Sequence, residues 1–364
     1  MKFQITRSAF IDGIRKVQNV ISGRDNLAIL QNVKIDATET GLTLTTTDLD
    51  ITIKCQIDAE VKVPGSTTLP AKLLAAAISK AEDGVIEVAV DEKDQATITS
   101  GHARYRLAGK SARDFPVISE SEETSVYTVS KAVLGEMFRK TAYAASQEDT
   151  RRALKGVLLS FKNGKLTMVA TDGRRMAKVE QELEFPAVNE NDIIVPSKAV
   201  AEIVRSLSGE GDAKIIIRKA NLCCEVDGVR IFSKLIDDTY PNYNVVIPAN
   251  LTETVQVDRQ LLMKALERAS VMSMDESRAT LLTFEANILT VSSGQSDIGE
   301  VKDEVAIKYI GEKIETGFNP AYIMDALRAI DDDEVTIKIS NGHTPIIIAC
   351  SVPFIYVLMP LRQK

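Results

Sequence analysis

One order of signals recurs three times along the 364 residues, and that repeat restricts the chain to folds built from three copies of one unit. Each copy opens with a short alternating strand running into an amphipathic helix: Phe3-Gln4-Ile5-Thr6-Arg7, Tyr127-Thr128-Val129-Ser130-Lys131 and Val255-Gln256-Val257-Asp258-Arg259. Ile5 to Val129 is 124 residues, and Val129 to Val257 is 128. A second alternating strand follows at Leu42 to Asp48, Leu166 to Asp172 and Leu289 to Gln295. A second helix then starts near a proline, at Leu69-Pro70-Ala71-Lys72, Val195-Pro196-Ser197-Lys198 and Phe318-Asn319-Pro320, where a missing N–H costs nothing. Further strands and an apolar-Pro step close each copy, at Phe115-Pro116, Tyr240-Pro241 and Met359-Pro360. Asp83-Gly84, Asn163-Gly164, Asp227-Gly228 and Asn341-Gly342 supply hairpin turns. The pattern predicts an α+β chain of three repeated domains, 1–121, 122–248 and 249–364, each with two helices packed on antiparallel sheet. The joints fall in the acidic, Ser-rich Ser119 to Ser125 and the polar Pro248 to Glu253.

Net charge is −7, which as an average argues against a nucleic-acid partner. Its distribution argues the reverse. With Phe10 as reference, Ile14, Val17 and Ile21 lie within about 40° on the first helix, and Arg15 and Lys16 point away. The same offsets give Arg139 and Lys140 in the second repeat and Glu267 and Arg268 in the third. Arg7, Lys131 and Arg259 share the helix start, and the second helices add Lys72, Lys198 and Arg205. Six helix windows (7–24, 70–80, 130–147, 196–208, 258–270 and 319–330) carry +9, leaving −16 elsewhere. If the helices share one side, they form a basic surface for a polyanion, and Arg7, Arg15, Lys16, Lys72, Arg139, Lys140, Lys198 and Arg205 are its candidate contacts.

Catalytic chemistry finds little support. The four cysteines, Cys55, Cys223, Cys224 and Cys350, form no C-x-x-C, and with only His102 and His343 a zinc site is not expected. The cysteine usage fits a reducing compartment, and the N-terminus lacks a secretory pattern. Thr344 to Leu361 is uncharged and long enough for a membrane span, but Pro345, Pro353 and Pro360 interrupt it, and its β-branched residues predict two strands about Ser351-Val352-Pro353. Gly109-Lys110-Ser111 lacks the first glycine of a phosphate loop, since Arg104 stands there. The enzymatic alternative is a metal-dependent nuclease or phosphoesterase using Asp48, Asp50 and Asp172, although Asp48 and Asp172 are equivalent strand ends where Gln295 stands in the third copy.

Thr171-Asp172-Gly173-Arg174-Arg175-Met176-Ala177, Tyr240-Pro241-Asn242-Tyr243, Gly317-Phe318-Asn319 and Tyr356-Val357-Leu358-Met359-Pro360-Leu361-Arg362 resemble, in register, the bacterial sliding-clamp family, the β subunits of DNA polymerase III. The resemblance spans the chain. It implies DNA-clamp domains in a head-to-tail homodimeric ring, its helices lining a hole that encircles duplex DNA of any sequence. It also implies a non-catalytic accessory subunit without cofactor or metal, in the bacterial cytoplasm at the nucleoid and not at a membrane. The implied partners are the polymerase III α subunit, the clamp loader δ subunit, other polymerases, ligase and mismatch-repair proteins, docking through linear motifs.

The family's peptide pocket falls on Leu154, Thr171, Gly173, Arg174, Arg175 and Met176, on Pro241, Val245 and Val246, on His343 and Pro345, and on Val357, Leu358, Met359, Pro360, Leu361 and Arg362. Arg174 stands where many members have His and Val245 where some have Arg, which bears on peptide preference. The resemblance adds Arg24 and Gln147 as DNA contacts. It implies a subunit interface pairing Lys72, Leu73, Arg104 and Tyr105 with Val271, Met272, Asp297, Glu300 and Glu304.

Overall fold

The computed structural model describes residues 1–21, 27–116, 123–148, 150–272, 279–296 and 299–361. Arg24, Asp297 and Arg362, all expected site residues, lie outside the described residues, as does most of the first joint. Among the described residues there are six α-helices, two per repeat: α1 (Arg7–Val17), α2 (Ala71–Lys80), α3 (Lys131–Thr141), α4 (Ser197–Ser206), α5 (Arg259–Ser270) and α6 (Pro320–Ala329).

The helix starts follow from local chemistry. Thr6 Oγ1 accepts from Ala9 N (3.3 Å), Asp258 Oδ1 from Leu261 N (2.8 Å) and Asn319 Oδ1 from Ala321 N (3.0 Å), each satisfying a donor with no partner inside its helix. Pro320 occupies the first turn as expected, whereas Pro70 and Pro196 end the preceding strands. On α1, Phe10, Ile14 and Val17 are fully buried while Arg15 and Lys16 are exposed, the faces the periodicity predicts.

The basic residue opening each repeat's first helix braces the end of that repeat's second helix. Arg7 donates from Nε and Nη2 to the Ile78 and Ser79 carbonyls (3.2 and 2.7 Å) and from Nη1 to Asp83 (2.7 Å). Lys131, 3% exposed, donates to the Ser208 carbonyl (3.2 Å) and Asp227 (2.8 Å). Arg259 reaches the Leu327 and Asp332 carbonyls (3.3 and 2.8 Å). Cations near helix C-termini satisfy carbonyls that have no partner within the helix. The recurrence of Arg7, Lys131 and Arg259 is therefore structural. Arg7 is corrected from a DNA contact to a helix brace.

The chain forms two compact units, Met1–Leu134 with Lys198–Leu235, and Gly135–Ser197 with Ile236–Lys364. The first holds two antiparallel sheets. One runs Glu60–Val63, Lys2–Thr6, Val85–Val90, Gln95–Ser100, Ala103–Ala108. The other runs Glu123–Ser130, Asp212–Arg218, Asn221–Val226, Val229–Lys234, Ile51–Ile57, Gly41–Thr47, Asn32–Thr38, Gly65–Pro70. The second unit holds one sheet of twelve strands: Asn191–Pro196, Gly156–Lys162, Lys165–Thr171, Arg175–Glu182, Phe354–Leu358, Ile346–Ala349, Glu334–Ile339, Glu253–Asp258, Gly299–Lys308, Ile288–Ser296, Thr280–Glu285, Ile314–Phe318.

Backbone pairing thus continues across the repeats. Val229–Lys234 of the second copy bonds to Ile51–Ile57 of the first, and Arg175–Glu182 of the second bonds to Phe354–Leu358 of the third. The middle copy is divided between the two units for that reason. Ile346–Ala349 and Phe354–Leu358 are paired strands, as the prolines predict, and among the described residues no helix is long and apolar enough to cross a membrane.

Candidate functional site

The strand end Thr171-Asp172 is built as a hydrogen-bonded turn that the first repeat duplicates. Thr171 Oγ1 donates to the Arg175 carbonyl (2.6 Å) and accepts from Gly173 N (3.1 Å), while Asp172 Oδ1 accepts from Arg174 N and Arg175 N (2.9 and 3.0 Å). Thr47 and Asp48 make the same four bonds with Ile51, Leu49 and Asp50 (2.7 to 3.1 Å). The third residue needs a positive φ, 86° at Gly173 and 77° at Leu49.

Of the three aspartates named for metal chemistry, Asp48 and Asp172 are therefore turn-builders; Asp48 is also paired with Lys198, and Asp50 with Lys234 (3.0 Å). Among the described residues no group of three or more His, Cys, Asp or Glu gathers to hold a metal ion. The nuclease reading is set aside.

Beyond the second turn, Met176 enters a buried apolar cluster with Leu158, Val169, Ile194, Ile347, Val357 and Ala153. Tyr240, Tyr243, Val246 and Ile355 pack on it half-buried. Tyr240 also donates its hydroxyl to the Val169 carbonyl (3.3 Å). Leu154 and Leu358 are buried, Thr171 is half-buried, Pro241 is exposed, and Val245 is 75% exposed.

The Val357 strand runs on into a cleft of about 590 Å³ lined by His343, Pro345, Met359, Pro360 and Leu361. Its far wall is Glu315, Thr316 and Gly317, with Gly342 at one end. Met359 N donates to the Arg174 carbonyl (3.0 Å) and Leu361 N to the Gly317 carbonyl (2.8 Å), so the C-terminal segment is strapped between the Arg174 turn and the Ile314–Phe318 strand. Of the expected pocket residues, Met176, Val246 and Val357 fall on the apolar floor, and His343, Pro345, Met359, Pro360 and Leu361 line the cleft. The Glu315–Gly317 wall was missed as a lining, although Gly317-Phe318-Asn319 is among the motifs that carry the resemblance.

Arg175 requires correction. Its guanidinium donates to Asp172 (3.0 Å), Asp325 of α6 (2.6 Å) and the Tyr143 carbonyl (2.8 Å), and it stacks 4.3 Å from the Tyr322 ring. Only 10% of the side chain is exposed. Burial disfavours the charge, but Tyr356, Asp325 and Asp172 outweigh it and hold the pKa above the usual arginine value. The side chain is held within the turn's own hydrogen bonds and presents little of its surface to solvent. Arg174 is the exposed member of the pair, beside Tyr322 Oη (3.5 Å) and Glu148 (3.6 Å).

The helix cations divide similarly. Arg15, Lys16 and Lys72 are exposed, as is Gln147. Lys198 is half-exposed and paired with Asp48, and Arg205 is paired with the buried carboxylate of Glu202. Arg139 and Lys140 do not match Arg15 and Lys16. Arg139 donates to the Ala329 carbonyl (2.8 Å) at the end of α6 and to Asp331, and Lys140 is 3% exposed and paired with Glu136. Both are corrected from DNA contacts to packing elements.

Two of the strands with an open edge among the described residues carry expected interface residues. Ala103–Ala108 pairs only with Gln95–Ser100, and Gly299–Lys308 meets a second strand only at Ile307 and Lys308. Arg104 projects outward from the first and Glu300 and Glu304 from the second, while Tyr105 is half-buried. Leu73 (58%) and Val271 (63%) are apolar yet exposed, and Met272 is half-buried.

Comparisons with known proteins agree with this architecture. Residues 1–119 match the DNA polymerase III beta subunit N-terminal domain, 128–242 the central domain and 244–362 the C-terminal domain. The beta sliding clamp of Chlamydia muridarum is 32% identical over 362 residues, covering 100% of this chain and 99% of that protein. That of Caulobacter vibrioides is 32% identical over 371 residues, covering all of both chains. The crystal structure of the DNA polymerase III subunit beta from Pseudomonas aeruginosa, 28% identical, superposes with a TM-score of 0.96 over 100% of both chains. With all three repeats matched in order and the fold shared from end to end, the chain belongs to the β-subunit family of DNA polymerase III, the β sliding clamps, which are non-catalytic processivity factors.

Proposed function

We propose that two copies of this chain close head to tail around duplex DNA and tether a polymerase to it. The observation that supports closure is the pairing rule within the chain. A repeat's last strand bonds to the preceding repeat's fourth strand twice, antiparallel each time, which leaves one strand of each kind unpaired at the ends of the series: Ala103–Ala108 and Gly299–Lys308. A second copy supplies the missing partner for each. Arg104 then faces the acidic Glu300 and Glu304, with Lys72, Leu73, Tyr105, Val271, Met272 and Asp297 beside the joint. The repeats would act as domains 1–121, 122–248 and 249–364.

Encirclement makes tight DNA contacts unnecessary. Exposed Arg15, Lys16 and Lys72, with Lys198, Arg205, Gln147 and Arg24, supply diffuse phosphate attraction that is indifferent to sequence and permits sliding. The apolar floor and cleft would take an extended peptide with Leu or Phe anchors from the polymerase III α subunit, the clamp loader δ subunit, other polymerases, ligase and mismatch-repair proteins. The cytoplasm, at the nucleoid, is the site of action.

A clamp loaded on nicked circular DNA should persist and then be lost when the circle is linearised. Retention on open-ended linear DNA would refute encirclement. Met359→Ala combined with Leu361→Ala should abolish peptide binding and leave the dimer intact, as read by calorimetry and light scattering.

A further inference from the structure

We propose that the peptide cleft is one half of a longer groove, whose second half takes a basic flank of the docked partner peptide; this rests on the peptide-site reading above. A second cleft of about 400 Å³ adjoins the first and shares Glu315 and Gly342 with it. Its lining includes Glu253, Tyr309, Glu312 and Asn341.

The divide between the clefts is a low saddle. Thr316 Oγ1 donates to the Gly342 carbonyl (3.0 Å), and a Cβ at Gly342 would stand 2.0 Å from the Glu315 carbonyl oxygen. Two backbone segments therefore touch where no side chain rises between them. A chain leaving the first cleft beside Glu315 can cross at Gly342 in extended form.

Charge selects what crosses. Glu253, Glu312 and Glu315 have no ion-pair partner among the described residues, and Lys313, the one cation lining this cleft, turns to Glu285 (3.0 Å). The Tyr309 hydroxyl donates to the Glu312 carbonyl (2.6 Å), which fixes the loop carrying Glu312 against the cleft. Lysine or arginine side chains on the peptide flank would meet carboxylates that nothing else neutralises, and an acidic flank would be repelled.

The test compares a short synthetic peptide with leucine and phenylalanine anchors against the same peptide carrying three lysines or three glutamates at either end. One lysine extension should tighten binding about five- to tenfold at low salt, the yield of two or three exposed ion pairs. The gain should vanish at high salt. It should also vanish in the Glu253→Gln, Glu312→Gln double variant, whose affinity for the unextended peptide stays unchanged. Glu312→Gln alone, in an exposed loop, should lose part of the gain and guards against misfolding of the double variant. A lysine extension that gains nothing at either end, or gains equally on the double variant, overturns the proposal. Failure of the unextended peptide to bind is a separate result, which overturns the peptide-site reading and this inference with it.

Discussion

The junction between repeats occurs twice in this chain, on one backbone register with opposite surfaces. Read across the strands, Thr52, Phe232, Cys223 and Ile216 at the first junction correspond to Met176, Val357, Ile347 and Lys338 at the second. In the next row Lys54, Arg230, Glu225 and Lys214 correspond to Lys178, Ile355, Ala349 and Thr336. At the first junction Lys54 and Arg230 lie 5.1 and 5.0 Å from the Phe232 ring centre and cover it. At the second the equivalent row holds Ile355 and Ala349 with one cation, Lys178, and Tyr243 and Val246 pack half-buried on the cluster. An apolar anchor seated at the first junction would have to strip water from two cations, and at the second it meets one, Lys178, already turned to Glu180 (3.0 Å) and the Tyr243 ring. The proposed peptide site thus rests on two rows of side chains and not on the clamp fold itself.

The largest expected effect separates the two Thr-Asp turns. Asp172 is held by a guanidinium that is 10% exposed, whereas Asp48 is held by a lysine that is 55% exposed. Arg175→Ala removes the guanidinium from Asp172, Asp325 and the Tyr143 carbonyl, leaving Asp172 its two backbone N–H donors and Asp325 its pair with Arg328, at a cost of about 3 kcal/mol, the low end for a broken buried pair. Lys198→Ala removes an exposed lysine but leaves an Asp48 carboxylate that is 6% exposed, and should cost about 1–2 kcal/mol, between an exposed pair and a buried one. Chemical denaturation, with amide exchange at the two turns, gives both values. Equal losses would remove the distinction between the turns.

A smaller effect comes from exchanging residues at matched positions. Ile355→Arg puts the first junction's cation into the second and should weaken a leucine-anchored peptide about tenfold or more, with dimer and fold retained. Arg230→Ile, the reverse exchange, should leave peptide affinity unchanged. Calorimetric titration of both variants checks this, and an unaffected Ile355→Arg would show that the row does not decide the site.

These contrasts mark what the amino-acid order discloses. The faces of α1 were legible because Phe10, Ile14 and Val17 against Arg15 and Lys16 follow from helix geometry alone. The expected pocket residues came only from the resemblance, whereas the strands about Ser351 were legible through their prolines. Arg139 and Lys140 misled because an offset on a helix gives its face, not the element that packs there. Only in the folded chain does the Ala329 carbonyl at the end of α6 reach Arg139. Arg7, Lys131 and Arg259 misled differently, since recurrence marks a shared structural duty as readily as a shared ligand. The Glu315–Gly317 wall rests on Leu361 meeting Gly317, a contact between distant loops that no local pattern encodes.

The smallest effect uses the thiol in the first junction's row. Burial raises the Cys223 pKa to about 11, from an ordinary value near 9 that the unfolded chain would show. Below pH 9 both states keep the proton, and the stability of this region is intact. As the pH climbs from about 9 toward 11 the unfolded thiol ionises while the folded one does not, so stability falls with rising pH. Cys224, raised by burial to about 12, acts in the same direction. Ile347 occupies the matched position at the second junction and cannot titrate. Cys223→Val should therefore flatten the decline as the pH passes about 9, while Tyr143, Tyr240 and Tyr356, raised by burial, add the same decline to variant and parent near pH 10, and Ile347→Val should leave the parent slope unchanged. Urea denaturation at stepped pH reads both slopes. Parallel curves for Cys223→Val and the parent chain would mean that the thiol is not sealed beneath Phe232 and its cations, and the contrast between a covered junction and an open one would lose its chemical basis.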